Sequence, residues 1–89
     1  MSRYRLEISK EARFIFERIS RKDKPLLARI ENQIVKILEH PELGKPLRHG
    51  MKNQRRVHVG SFVLSYEIEG EIVRVLHFEH HDKIYKKKQ

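Results

Sequence analysis

Residues 55–76 read RRVHVGSFVLSYEIEGEIVRVL, and the apolar period of this stretch decides the architecture. Val57 and Val59 alternate with Arg56 and His58. Phe62, Leu64, Tyr66 and Ile68 then alternate with Val63, Ser65 and Glu67, the two-residue period of half-buried strands. Gly60-Ser61 lies between the runs and forms a tight turn. A two-residue loop there sets Val59 opposite Phe62 and Val57 opposite Leu64 on the face to be covered. Arg56, His58, Val63 and Ser65 then occupy the other face. Glu69-Gly70 predicts a second turn, and EIVRVLHF follows as the last strand. Continued alternation puts Val73, Val75 and His77 on the core side. It leaves Arg74, Leu76, Phe78 and His80 beside Arg56 and His58, above an apolar floor of Val63, Leu76 and Phe78. A register slip of one would bury the Arg74 charge, which is costly.

Upstream of the meander the period changes. RYRLEI, residues 3–8, alternates with Tyr4, Leu6 and Ile8 on one side and predicts a strand. Ser9 can cap a helix whose stripe is Ile8, Ala12, Ile15 and Ile19, widened by Phe14 and Phe16. Asp23 can cap a second helix with Pro25 in its first turn, where a missing N–H is harmless. Leu26, Ile30, Ile34 and Ile37, with Leu27 and Leu38, make that helix amphipathic until His40-Pro41 ends it. PELGKPLRHG, residues 41–50, holds two prolines and two glycines and predicts a loop. The expected fold is one α+β domain over residues 1–89: an N-terminal strand, a two-helix hairpin, then a three-stranded antiparallel meander, with the helices on one face of the sheet.

A chain of 89 residues without cysteine has neither disulfides nor thiolate metal ligands to assist a modest core. The N-terminus lacks the apolar run of a signal peptide. No segment approaches the ~20 apolar residues of a membrane span, so a cytoplasmic protein with no membrane partner is expected. Lys and Arg number 20 against 12 acids, and no acid occurs from Lys45 to Tyr66. That stretch carries Lys45, Arg48, Lys52, Arg55 and Arg56, with His49 and His58, a field suited to a polyanion. The chain closes on HFEHHDKIYKKKQ, residues 77–89, which gathers three histidines, a tyrosine and a basic run opened by Lys86.

The element order, the loop GKPLRHG, the hairpins of residues 55–76 and the ending HHDKIYK together resemble the RelE/ParE toxin superfamily of toxin–antitoxin systems. The resemblance spans almost the whole chain and is most specific in its second half. It implies a toxin neutralised by a cognate antitoxin, here expected to be acidic, in a toxin–antitoxin hetero-oligomer. RelE-like members cut messenger RNA in the ribosomal A site. ParE-like members instead inhibit DNA gyrase and cut nothing, and an inactive RNA-binding relative is a further alternative. Lys45–Lys52 looks like the family's basic loop, and Arg56 and His58 stand where RelE-like strands meet the scissile phosphate. His80 falls on the family's histidine, His81 on an arginine and Tyr85 on the tyrosine of many RelE-like nucleases. Val63 departs from a frequent strand arginine. Gly50 stands near the position of the glutamate base in one branch.

Metal-free RNA cleavage needs a base for the 2′-OH, cations for the phosphorane and an acid for the departing 5′-oxygen. With the central stretch free of acids, His80 or His81 is the candidate base or acid, followed by His58, because imidazole exists in both forms near neutrality. Arg56 is the candidate phosphate clamp, since guanidinium presents paired donors. Tyr85 is a candidate acid or stacking ring. Lys45, Arg48, Lys52, Arg55, Arg74 and Lys86 are candidate RNA contacts, with messenger RNA on the ribosome as the expected substrate. Neither a cofactor nor a metal is expected: strand alternation sets His77 opposite His80, and no cysteine completes a ligand set.

Overall fold

A computed structural model of the chain describes residues 3–46 and 53–81. Strand β1 (Arg5–Ile8) leads into helix α1 (Lys10–Lys22) and helix α2 (Lys24–Glu39). A 3-10 turn (Pro41–Leu43) and a two-residue strand β2 (Lys45–Pro46) follow, then β3 (Gln54–Val59), β4 (Phe62–Glu69) and β5 (Ile72–His80). The sheet order is β1-β5-β4-β3-β2, with β1 parallel to β5 and every other pair antiparallel. The expected α+β architecture is therefore present. The loop expected at residues 41–50 contributes an extra short edge strand within its described part.

Both helices start where their caps predict. The Ser9 hydroxyl accepts from the Ala12 N–H, and the Asp23 carboxylate accepts from the Leu26 N–H, each pairing a donor that a helix start leaves orphaned. Their apolar stripes meet one face of the sheet. Ala12, Ile30, Ile34 and Ile37 pack over Val57, Val59, Leu64, Tyr66, Val73, Val75 and Phe78. Each of the larger apolar side chains buried there contributes about 1.5–3 kcal/mol relative to exposure. Leu64, fully buried at the centre, is the position where truncation to alanine would be felt most, about 2–5 kcal/mol. Phe14 does not widen the stripe: it is 61% exposed, with the Arg18 guanidinium 5.9 Å from its ring centroid. Leu6 is likewise exposed, because β1 is the sheet's outer strand and no further strand shields it.

The first hairpin has the expected register, Val59 to Phe62, Val57 to Leu64 and Arg56 to Ser65. The second turn is Gly70-Glu71 rather than Glu69-Gly70, since Glu69 pairs with Ile72. Both loops thus open on a glycine in the left-handed region, Gly60 at φ 61° and Gly70 at φ 60°, where a side chain would be strained.

The main departure lies in β5. Tyr66 pairs with Val75 but Ser65 pairs with His77, so Leu76 is one extra residue, a β-bulge. One added residue inverts the two-residue alternation beyond it. His77, expected in the core, faces outward and is exposed. Phe78, expected on the outer floor, is buried at 1% against Phe16 and Phe62. His80, expected beside Arg56, turns to the helix-covered side with its partner Phe62. The exchange is favourable because it buries a phenyl ring and returns an imidazole to water. Ser9 anchors it. Its N–H donates to the Val75 carbonyl at 2.8 Å and its hydroxyl to the Leu76 carbonyl at 2.6 Å, so the end of β1 reads both carbonyls of the bulge.

Candidate functional site

The face of the sheet away from the helices carries two cross-strand rows. In the first, Lys45 of β2, Arg56 of β3, Ser65 of β4 and His77 of β5 lie side by side. In the second, His58, Val63 and Glu79 do the same. With strands about 4.8 Å apart, the four-strand row spans roughly 14 Å and the three-strand row roughly 10 Å, wide enough for a phosphodiester and its flanking sugars. Val63, 3% exposed, forms an apolar floor between His58 and Glu79. The Arg56 Nε is buried, which brings the base of its guanidinium down to the sheet. His81 follows the end of β5. Its N–H donates to the Ser61 carbonyl at 2.8 Å, and its ring centroid stands 5.7 Å from that of His58, tilted by 38°.

The structure therefore sets the candidates Lys45, Arg56 and His58 on one face with His81 beside His58, and adds His77 and Glu79, which an unbroken alternation would place on the covered side. The signal was present in the apolar pattern. Val73 and Val75 keep a period of two, but Val75 to Phe78 is a step of three, which marks an inserted residue. Glu79 supplies a carboxylate to a face whose β3 and β2 side is basic.

The remaining candidates divide. The His80 ring meets Phe62 edge-on at 5.3 Å, on the opposite side of the sheet from Arg56. Arg55 shares the face of its partner Tyr66 and donates through Nη1 to the Gly44 carbonyl at 2.7 Å and the Glu42 carbonyl at 3.3 Å, so it holds the 3-10 turn in place. Arg74 does lie on the outer face, but three carboxylates hold it: Glu7 at 3.0 Å, Glu69 at 3.1 Å, and Glu67. Those hydrogen bonds hold its guanidinium pKa above the usual arginine value and spend its donors within the protein. Arg48, Lys52, Tyr85 and Lys86 lie outside the described residues, as does His49.

Tyr66 sets the position of the β2 edge. Fully buried, it donates to the Pro41 carbonyl at 2.6 Å and accepts from the Gly44 N–H at 2.9 Å. Gly44 is required by space: a Cβ there would lie 2.6 Å from the Tyr66 hydroxyl and 2.7 Å from the Arg56 carbonyl. This clasp delivers Lys45 to Arg56. Burial pushes the Tyr66 phenol up from 10.0, so it stays neutral. The arrangement can neutralise a phosphate through Arg56 and Lys45 and exchange protons through imidazoles and a carboxylate on one face of the sheet.

Comparison with known proteins finds the same fold elsewhere. A family model described as the ParE toxin of type II toxin–antitoxin system, parDE, matches residues 6–85. The Methanocaldococcus jannaschii protein "Putative toxin RelE4" is 36% identical over 89 residues, covering 97% of this chain and 95% of its own. The solved YoeB dimer from Staphylococcus aureus superposes with a TM-score of 0.79 at 15% identity, covering 90% of this chain and 99% of that one. The RelBE2 toxin–antitoxin complex from Mycobacterium tuberculosis contains a chain that superposes with a TM-score of 0.71 at 22% identity, covering 86% and 96%. At those identities the two structures share the fold.

Proposed function

This chain belongs to the RelE/ParE superfamily of type II toxin–antitoxin toxins, and from that premise we propose that it is a ribosome-dependent, metal-independent endoribonuclease. The observation that carries the reading is the meeting of His58 and His81 on the face that holds Arg56. A base takes the proton of the 2′-OH, and the 2′-oxygen attacks the adjacent phosphorus. The P–O5′ bond breaks, and an acid protonates the departing 5′-oxygen. A 2′,3′-cyclic phosphate and a 5′-OH result. His58 and His81 are the proton-transfer pair, with Glu79 in the same row as His58. Arg56 and Lys45 stabilise the charge on the phosphorane. The ribosome is assigned the task of bending the message into line with the departing oxygen.

In the cytoplasm the toxin is held by an antitoxin, and the +8 charge of this chain favours an acidic partner. The M. tuberculosis neighbour, a toxin–antitoxin complex, supports such a hetero-oligomer. Mapping mRNA 5′ ends after adding the protein to translating ribosomes tests the reading: new ends within A-site codons are expected. One observation favours a second reading, since the matching family model is the ParE one. In that case the message stays intact and gyrase supercoiling is blocked instead.

A further inference from the structure

Helix α2 carries a second, polar stripe beside its buried one. Arg29, Asn32, Gln33 and Lys36 recur at helical spacing and line a cleft of about 230 Å³ together with His58, Val59 and Gly60. Among the described residues no acid lines this cleft. The stripe faces a particular part of the sheet. β2 pairs only with Arg55 and Arg56, so among the described residues Val57–Val59 form the open margin of β3. Two stripe residues reach that margin: the Gln33 amide donates to the His58 carbonyl at 3.5 Å, and the Arg29 guanidinium lies against the Gly60 turn. His58 has its ring on the outer face and its carbonyl toward α2, so the cleft continues the candidate site around the sheet edge.

The geometry points to a second RNA subsite on α2, where Arg29 and Lys36, two helical turns apart, each bind a backbone phosphate of the same message and Asn32 and Gln33 meet its sugar or base edges. The inference rests on the nuclease reading and specifies where the strand goes. A message whose scissile phosphate sits over Arg56 meets the margin of β3 first, and the cations beyond that margin are those of α2. Phosphate contacts of this kind set register and affinity without selecting sequence.

The test uses binding rather than cutting. Single-stranded 2′-O-methyl RNA, which lacks the nucleophile, is titrated as four- and eight-nucleotide oligomers against the full chain and against R29Q/K36Q. The wild-type protein is expected to bind the longer oligomer more tightly. The double variant should lose that gain, with the salt dependence of log K falling by about 1.4 for two phosphate contacts on a single strand. Arg13→Gln on α1 is the control and should retain the gain. All three positions are exposed, so matching thermal midpoints establish that the variants are folded. Equal affinities of wild type and R29Q/K36Q for both lengths overturn the subsite, whether or not the variant has lost affinity for the antitoxin. Uncut message with the length gain intact instead overturns the nuclease reading and leaves the subsite standing.

Discussion

The imidazoles of His58 and His81 stand 5.7 Å apart although 22 residues and two strands separate them in the chain. If the pair transfers protons, replacing either should slow cutting by about 10²–10⁴-fold. His81→Ala and Arg56→Ala, assayed by single-turnover cleavage of ribosome-bound message, are expected to lose activity with unchanged thermal midpoints. Cleavage of His81→Ala within threefold of wild type would remove His81 from the chemistry.

The bulge at Leu76 separates two neighbouring residues that sequence position would treat alike. Glu79 faces the candidate site and His80 packs on Phe62. Glu79→Gln is isosteric and should lower the cleavage rate at least tenfold while leaving stability alone. His80→Ala should do the reverse, costing ~1 kcal/mol of aromatic packing with little effect on rate. Urea unfolding and cleavage measured on both variants would show an inverted pattern if the alternation had run unbroken.

Ser9 serves α1 and β5 together, accepting from Ala12 N–H at 3.0 Å while donating to the Leu76 carbonyl. Ser9→Ala is expected to cost about 1–2 kcal/mol, the upper part of the range for a lost cap. Ser9→Asp keeps a cap acceptor but has no proton for the Leu76 carbonyl. It should therefore restore only part of the loss in denaturant titrations. Full recovery by aspartate would show that the cap alone matters.

Tyr66 gives the clasp an alkaline limit. Tyr66→Phe leaves the buried Pro41 carbonyl and Gly44 N–H without that partner, at about 1–3 kcal/mol. The folded-state phenol is raised above its unfolded value of 10.0, so its contribution is complete below pH 10 and is lost as pH climbs through the folded value. The stability gap between wild type and Tyr66→Phe should hold steady up to pH 9 and narrow above 10. Paired urea titrations across this range provide the check.

Arg74 binds Glu7 of β1 to Glu67 and Glu69 of β4, bracing the outer strand. Arg74→Ala leaves three carboxylates facing one another and should lower the thermal midpoint at pH 7. The deficit should shrink as pH falls through the carboxylate range and the repulsion is neutralised, or as salt screens it. A deficit unaffected by either would assign the loss to packing.

Local chemistry in the chain was enough to determine most of the architecture. Ser9 and Asp23 are legible as caps because they pair donors only a few residues away. Gly60-Ser61 is legible as a turn because its requirement is a backbone angle. The stripe of Ile30, Ile34 and Ile37 shows its buried side through helical spacing alone. From these the helices, the first hairpin and the shared outer face of Arg56 and His58 follow. Tertiary structure decided the rest, because it depends on partners distant in sequence. Whether β5 inserts a residue is set by Ser9 holding two carbonyls 66 and 67 positions away and by the gain from burying Phe78. That one insertion moves His80 out of the site and brings in His77 and Glu79. Arg55 and Arg74 look like free cations in a one-dimensional reading, and only the fold supplies the carbonyls and carboxylates that occupy them.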